Sequence, residues 1–390
     1  MTQYDVIFVG GGVMACATAY HLLKADPNLQ LAIVEKDPTY EKSSTVLSDG
    51  NIRIQFNVKE NILISQYGYK VLATFAEDMA VRGDKPNILF RGEGNLFLVN
   101  EANREGAQAG MRLQQSQGCE VEWLDAAQLN ERYPFIDTST IAGGTFSPKD
   151  GTMDPNTVLQ GYKNKSIDLG AKYIVGDVVT INVADKQVQG VTLADGQTLS
   201  GKFVVNSAGA WGTAIAKNIG VNLPVEATMR HVFHFESKLS LDYVLPLVVF
   251  PTGLYIHHEN GNHFLAGKSL PVDKKGFDFT FNRQLFTDYL WEELAEYIPE
   301  FEHLKLLDGW AGLYAVNSFD GNAILGEWPE LKGFVLANGF SGHGFQQCHA
   351  VGAYLRDIIL GTKPELDLSI FSPERLLTGK PVHENAHKIV

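Results

Sequence analysis

The chain has 390 residues, and 32 Lys plus Arg against 45 Asp plus Glu give a formal net charge of −13. Hydrophobic residues make up 45% and charged residues 20%, which is globular composition and excludes a disordered chain. The acidic balance argues against nucleic acid as a partner, since that requires a basic footprint. Cys16, Cys119 and Cys348 are too few and too scattered for a disulfide framework or a cysteine metal site, and they suit a reducing compartment.

In chain order, residues 5–9 are a β-rich run, followed by a glycine cluster, a helical stretch at 15–25 and a second β-type run at 30–35. This is a βαβ unit opening the chain. Residues 59–82 recur apolar at helical spacing and predict one amphipathic helix, while the alternation and turn glycines of 87–100 predict a hairpin. Helices are expected at 102–117, at 124–133 with Pro134 as the stop, and at 154–170 with Asp154 as N-cap before Pro155. Strands are expected through 173–193, around an Asp195-Gly196 turn signal, and at 203–206. Residues 225–270 are β-rich and predict a separate sheet; a helix at 281–297, a strand at 333–337 and a helix at 344–361 follow.

The N-terminus enters an apolar strand directly, with no basic n-region, so no signal peptide is expected. The longest apolar stretch, 243–250, is interrupted by Pro246 and falls short of the ~20 residues of a membrane helix. A cytoplasmic-type protein without a transmembrane segment is expected.

Glycine, at 38 residues, concentrates in a few turns. Gly10-Gly11-Gly12-Val13-Met14-Ala15 is a G-x-G-x-x-A turn between strand and helix. Gly10 permits the bend, Gly12 lets backbone amides approach a pyrophosphate, and Ala15 keeps helix and strand close. The helix N-terminus then favours an anion. Glu35 closes the second strand, where a carboxylate binds a ribose hydroxyl. Two further glycine turns, at 204–211 and 338–347, each follow a β-run and open a helix. His231, His234, His257, His258 and His263 lie in strands whose alternation separates 231 from 234 and 257 from 258, so no metal site is expected.

These stretches carry a family resemblance. GGGVMA with Glu35, KSSTVLSDGNIRIQF at 42–56, VVNSAGAW at 204–211, and the pair at 309–326 and 337–352 resemble the D-amino-acid-oxidase-like FAD-dependent oxidoreductases, which include sarcosine and glycine oxidases. The 42–56 and 337–352 stretches are closest to the branch containing a mitochondrial FAD-dependent complex I assembly factor. The resemblance implies a mixed α/β fold, with a Rossmann-like FAD-binding domain and an inserted antiparallel-sheet substrate domain. The FAD-binding domain would take 1–80, 140–222 and 323–375. The substrate domain would take 81–139 and 223–322, leaving 376–390 as a C-terminal tail.

It also implies the flavin contacts. Gly10, Gly12, Val13, Met14 and Ala15 would meet the pyrophosphate, Glu35 and Lys36 the adenosine ribose, and Ser43, Ser44 and Thr45 the phosphate side. Val178 would lie by the adenine, with Ala208, Gly209 and Trp211 in the second turn. Gly312 and the run Gly342, His343, Gly344, Phe345 and Gln346 would lie beside the isoalloxazine, with His343 placed to hydrogen-bond it. No Cys stands within 312–314 and no His at 45 or 46, the tethering places in relatives, so FAD is expected to be non-covalent. On the substrate side Arg230 and Tyr255 match a carboxylate arginine and a substrate tyrosine of D-arginine dehydrogenase, Tyr314 replaces that enzyme's second arginine, and Arg53 lies in the segment crossing a flavin face.

The implied reaction is hydride transfer from a C–H beside nitrogen, in a carboxylate-bearing amino acid or N-substituted amino acid, to flavin N5. A 2-hydroxy-acid dehydrogenase and a flavoprotein acting as an assembly or binding factor are the alternatives. The acceptor would be O2 or a quinone or carrier. Leu265 at the place of an oxygen-activating lysine, with Lys268 three residues on, points to the carrier.

Overall fold

The computed structural model describes residues 3–384. It contains two large mixed sheets. In the first, the strands Phe334–Asn338, Thr198–Asn206, Gln3–Val9, Leu31–Glu35 and Lys172–Val175 lie side by side and parallel. Parallel strands are covered on both faces and so read as apolar runs; Val6, Ile7 and Phe8 are each fully buried. Register decides what this sheet can do. Val9 pairs with Asn206, and Asn206 pairs with Leu336. The three strands therefore finish nearly level, and all three glycine turns leave the sheet at one edge.

The helices Val13–Ala25 and Gly344–Leu360 leave those turns and pack against each other. A Cβ on Gly352 would stand 2.9 Å from the Ala17 carbonyl carbon, so glycine sets their close approach. The helix Pro155–Asp168 covers the same face, and Asp154 caps it by accepting from Thr157 N–H, as expected.

The second sheet runs Lys305–Asn317, Val225–Glu236, His263–Gly267, Tyr255–Asn260, Leu247–Val249, Asn95–Val99, Gly143–Ser147 and Glu122–Asp125. Its core is aromatic: Phe233, Phe235, Phe264, Phe286 and Phe301 are all buried and mutually packed. Each such ring contributes about 1.5–3 kcal/mol of burial. The strand Lys305–Asn317 joins the two sheets. The Trp310 indole donates to Leu47 O (2.9 Å), Ser44 Oγ donates to Leu313 O (2.7 Å) and Ser341 N–H donates to Ala315 O (3.0 Å).

Several expected elements take another form. The helix expected over 59–82 is two, Lys59–Leu72 and Phe75–Asp78. Residues 87–100 contain no hairpin: only Asn95–Val99 is a strand, and its partners are the distant Gly143–Ser147 and Leu247–Val249. Residues 124–133 begin as the end of a strand, Glu122–Asp125, and a capping box formed by Asp125 and Gln128 then starts the helix Ala126–Arg132. The stretch 281–297 divides into Gln284–Tyr289 and Trp291–Tyr297. Asp195-Gly196 does link two strands, but a second tight turn at Asp185-Lys186, both at positive φ, joins Val178–Ala184 to Gln187–Leu193.

The expected tail is partly fastened. Val382 N–H donates to Asp320 and its carbonyl accepts from Asn322, while Glu384 accepts from Asn57 N–H, Val58 N–H and Asn61 Nδ2 at the start of the helix Lys59–Leu72. The remainder, 385–390, lies outside the described residues.

Candidate active site

Gly10 has φ +90°, and a Cβ there would stand 2.8 Å from Ala208 Cα. The first glycine turn is thus pressed against the second, where no side chain fits. Gly12 differs: the nearest atom to a Cβ there is Thr45 Oγ1 at 4.0 Å. The helix Val13–Ala25 starts at Gly12 with no side-chain cap and no acidic residue in its first turn. Its first N–H groups and positive dipole end face open space, which is the chemistry that holds a phosphate.

One cavity runs from this turn to the second sheet. At the glycine end it is lined by Gly10, Gly12, Val13, Met14, Glu35, Lys36, Ser43, Ser44, Thr45 and Val178. Ala208, Gly209 and Trp211 line its flank, and Gly312, Gly342, Gly344 and Phe345 its inner wall. Ala15 and Gln346 are buried behind it. Glu35 is fixed by two amides: Oε2 accepts from Gly11 N–H (2.7 Å) and Oε1 from Asp37 N–H (2.8 Å). The Lys36 ammonium lies 3.7 Å from the Trp211 ring centroid, and Trp211 stacks on Phe277 at 5.2 Å. That aromatic shelf is invisible in the motif, because Phe277 sits in a distant loop.

At the other end the cavity is lined by Asp49, Arg230, Tyr255, Lys268 and Tyr314. Gly342, at φ +98°, lets the third turn press on Tyr314; a Cβ there would be 2.4 Å from its ring. Burial, and then the nearby Asp49, push the Tyr314 hydroxyl up to about 12, and the same two causes raise Tyr255. Both phenols stay protonated donors at neutral pH. Arg230 differs from the expectation of a waiting carboxylate anchor. Its Nη1 donates to Asp273 Oδ2 at 2.7 Å, with its guanidinium carbon 5.4 Å from the Tyr314 ring centroid. Lys268 reaches the cavity while Leu265, on the strand, is buried elsewhere; Lys268 Nζ is paired to Glu293 at 2.5 Å.

Arg53 and His343 meet: Arg53 Nη2 and His343 Nε2 are 3.0 Å apart. The Arg53 N–H donates to Gln346 Oε1 (2.9 Å), which ties the 51–56 segment to the first turn of the helix Gly344–Leu360. Beneath them Asp150 accepts from Ile54 N–H, Tyr69 and Ser147. Burial pushes its carboxyl up to about 7. Sequence reading missed Asp49, Asp150, Asp273 and Glu293. Asp49 lies within the quoted 42–56 stretch but no spacing marks its role, and the other three are lone carboxylates with no motif around them.

Of the strand histidines, His234 and His263 do meet (Nε2 to Nδ1, 3.0 Å) across neighbouring strands, with Asp308 2.8 Å from His234 Nδ1. Among the described residues no group of three or more His, Cys, Asp or Glu could hold a metal ion.

A glycine-rich turn feeding an uncapped helix at the edge of a parallel sheet, under a largely antiparallel second sheet carrying polar side chains, defines a dinucleotide-dependent oxidoreductase. The comparisons specify which. Residues 5–358 match the FAD dependent oxidoreductase family, DAO, and the chain belongs to it. FAD is its cofactor. The open cradle above Gly12, the fixed carboxylate of Glu35 and the single cavity running on to Gly342–Phe345 fit that group.

The chain is 32% identical to FAD-dependent oxidoreductase domain-containing protein 1 of Xenopus laevis, over 97% of its own length and 84% of that protein. It is 26% identical to monomeric sarcosine oxidase of a Bacillus species, over 96% of each. Among solved structures, L-proline dehydrogenase from P. horikoshii superposes with a TM-score of 0.85 at 22% identity, covering 97% of this chain and 99% of that one. Glycine oxidase from Geobacillus kaustophilus gives 0.81 at 22%, covering 95% and 98%. No helix among the described residues is long and apolar enough to cross a membrane.

Proposed function

We propose that this oxidoreductase oxidises the C–N bond of an amino acid or N-substituted amino acid. The observation that carries the reading is one cavity joining the glycine cradle to a polar end with two protonated tyrosines and the Arg53–His343 pair beside it. Relatives named for sarcosine oxidation, and fold neighbours named for proline and glycine oxidation, support it. When bound, FAD supplies the two-electron acceptor for a hydride. The chain's residues bind and orient. Tyr255 and Tyr314 donate hydrogen bonds to the substrate, Arg53 supplies positive charge for a carboxylate, and His343 holds the Arg53 guanidinium. The start of the helix Gly344–Leu360, free of acidic residues in its first turn, favours negative charge in front of it. The substrate amine must shed its ammonium proton before it can give hydride, because its nitrogen lone pair drives that transfer.

FAD is held without a covalent bond. Cys16 and Cys348 are fully buried and no cysteine lines the cavity. Acid precipitation should leave the pellet colourless and the supernatant yellow. Electrons leave to a quinone or carrier, because Lys268 has its charge offset by Glu293 and Leu265 faces away. The reading is tested by anaerobic mixing with a panel of amino acids, N-methyl amino acids and 2-hydroxy acids. Flavin absorbance should fall with members of the first two groups and stay constant with the third; no bleaching by any amine overturns it.

A further inference from the structure

The polar end of the cavity has an unequal charge distribution. Arg230 and Lys268 both line it, yet each is already paired, to Asp273 at 2.7 Å and to Glu293 at 2.5 Å. Neither of those carboxylates lines the cavity. The two cations are therefore neutralised from behind. Asp49 is the reverse case: it lines the cavity, is half-buried, and forms no ion pair among the described residues. Its position is held. Trp310 fastens the preceding loop through Leu47 O (2.9 Å), and Gly50 N–H bonds Ser48 Oγ (3.1 Å) behind it. Around it stand Tyr255, Tyr314 and Trp310, all in the same lining. Aromatic faces attract cations, most strongly quaternary or desolvated ones. A half-buried carboxylate beside two tyrosines, near Arg53 but in no ion pair with it, can still receive a cation.

We propose that Asp49 recognises the positively charged nitrogen of a zwitterionic substrate, so that the cavity selects amino acids and N-alkylated amino acids over uncharged isosteres and 2-hydroxy acids. This rests on the functional reading above and gives it a selectivity residue. Asp49 holds the nitrogen, and the carboxylate is held elsewhere in the same cavity. A hydroxy acid supplies only the second of these and leaves Asp49 with no cation in the cavity to pair with.

The test uses the FAD-loaded protein and two unreactive ligands of matched shape, trimethylammonioacetate and 3,3-dimethylbutanoate, titrated against the flavin absorbance spectrum. The zwitterion should bind at least about tenfold more tightly than its carbon isostere. Asp49→Asn should bring the ratio close to one while leaving 3,3-dimethylbutanoate binding in place, which shows that the variant is folded. Asp49→Glu should keep most of the preference. A ratio near one in the unaltered protein, a ratio unchanged in Asp49→Asn, or no spectral change with either ligand overturns the proposal. Amine oxidation is judged separately by anaerobic bleaching, since neither probe can give hydride. Selection by Asp49 without bleaching would sink the reaction and keep the site; bleaching without selection would do the opposite.

Discussion

The guanidinium of Arg230 donates to the Asp273 carboxylate over 2.7 Å, and the Asp273 side chain is only 3% exposed. Burial pushes that carboxyl up even with Arg230 beside it, so the acid depends on its partner to stay charged. Arg230→Met would strand the carboxylate. Breaking such a pair should cost about 3 kcal/mol, seen as a lower denaturation midpoint. Asp273→Asn should cost less and give Arg230 back to the cavity, tightening carboxylate ligands in a spectral titration. A free anchoring arginine would show the opposite pattern, with Arg230→Met losing affinity and no stability.

The two glycines of the first turn should respond differently to alanine. At Gly10 the new methyl meets Ala208 Cα at 2.8 Å and Ser207 O at 2.9 Å, at φ +90°. Both are backbone atoms that cannot step aside, so the protein should fold poorly. At Gly12 nothing lies closer than 4.0 Å; Gly12→Ala should fold normally but lose FAD, because the methyl occupies the phosphate approach. Flavin content per chain after gel filtration, beside a thermal melt, separates the two.

Stability should rise with pH across the mildly acidic range. His21 and His349 are buried and neutral, with burial lowering them to about 3 and about 4. In the unfolded chain each takes a proton near 6.5. Their contribution is complete above that value and is lost as pH falls from it towards about 4, at roughly 1.4 kcal/mol per pH unit for each. Asp150, pushed up to about 7, works the other way: the fold holds a proton that the unfolded chain has released above about 4, so its contribution fades as pH rises through 7. Between about 4 and 6.5 two histidines outweigh one aspartate, and urea midpoints should climb with pH. His349→Gln, which keeps a partner for Tyr162, should flatten the climb.

Glu384 acts as a cap supplied from far along the chain. Its carboxylate takes the N–H groups of Asn57 and Val58, just ahead of the helix Lys59–Leu72, and the Asn61 side-chain amide in its first turn; the N-cap, Val58, has no side-chain acceptor of its own. Glu384→Ala should cost about 1 kcal/mol, read as a lower urea midpoint, and Glu384→Gln, which keeps one acceptor oxygen, should cost less. No loss in Glu384→Ala would contradict the cap.

Much of this architecture can be read in the residues, for identifiable reasons. The βαβ opening, the three glycine turns and the β-rich 225–270 block are local patterns. The level strand ends that bring the turns together follow from one register, Val9 with Asn206 and Asn206 with Leu336. What stays hidden depends on distance in sequence. Asn95–Val99 looks like half of a hairpin, yet pairs with strands at 143–147 and 247–249. Arg230 matches a substrate arginine, yet its neutralising Asp273 is 43 residues away. Asp49 lies within the 42–56 stretch, but no spacing marks its role, and only the cavity brings it to the substrate end.

The central claim is C–N oxidation by a neutral amine at a cavity that reads charge. The most direct measurement is the pH dependence of anaerobic flavin bleaching by an N-methyl amino acid. The rate should rise as the bound substrate loses its ammonium proton and then level off, with no bleaching by the matching 2-hydroxy acid at any pH. Bleaching by the hydroxy acid alone, or by neither, would contradict the account.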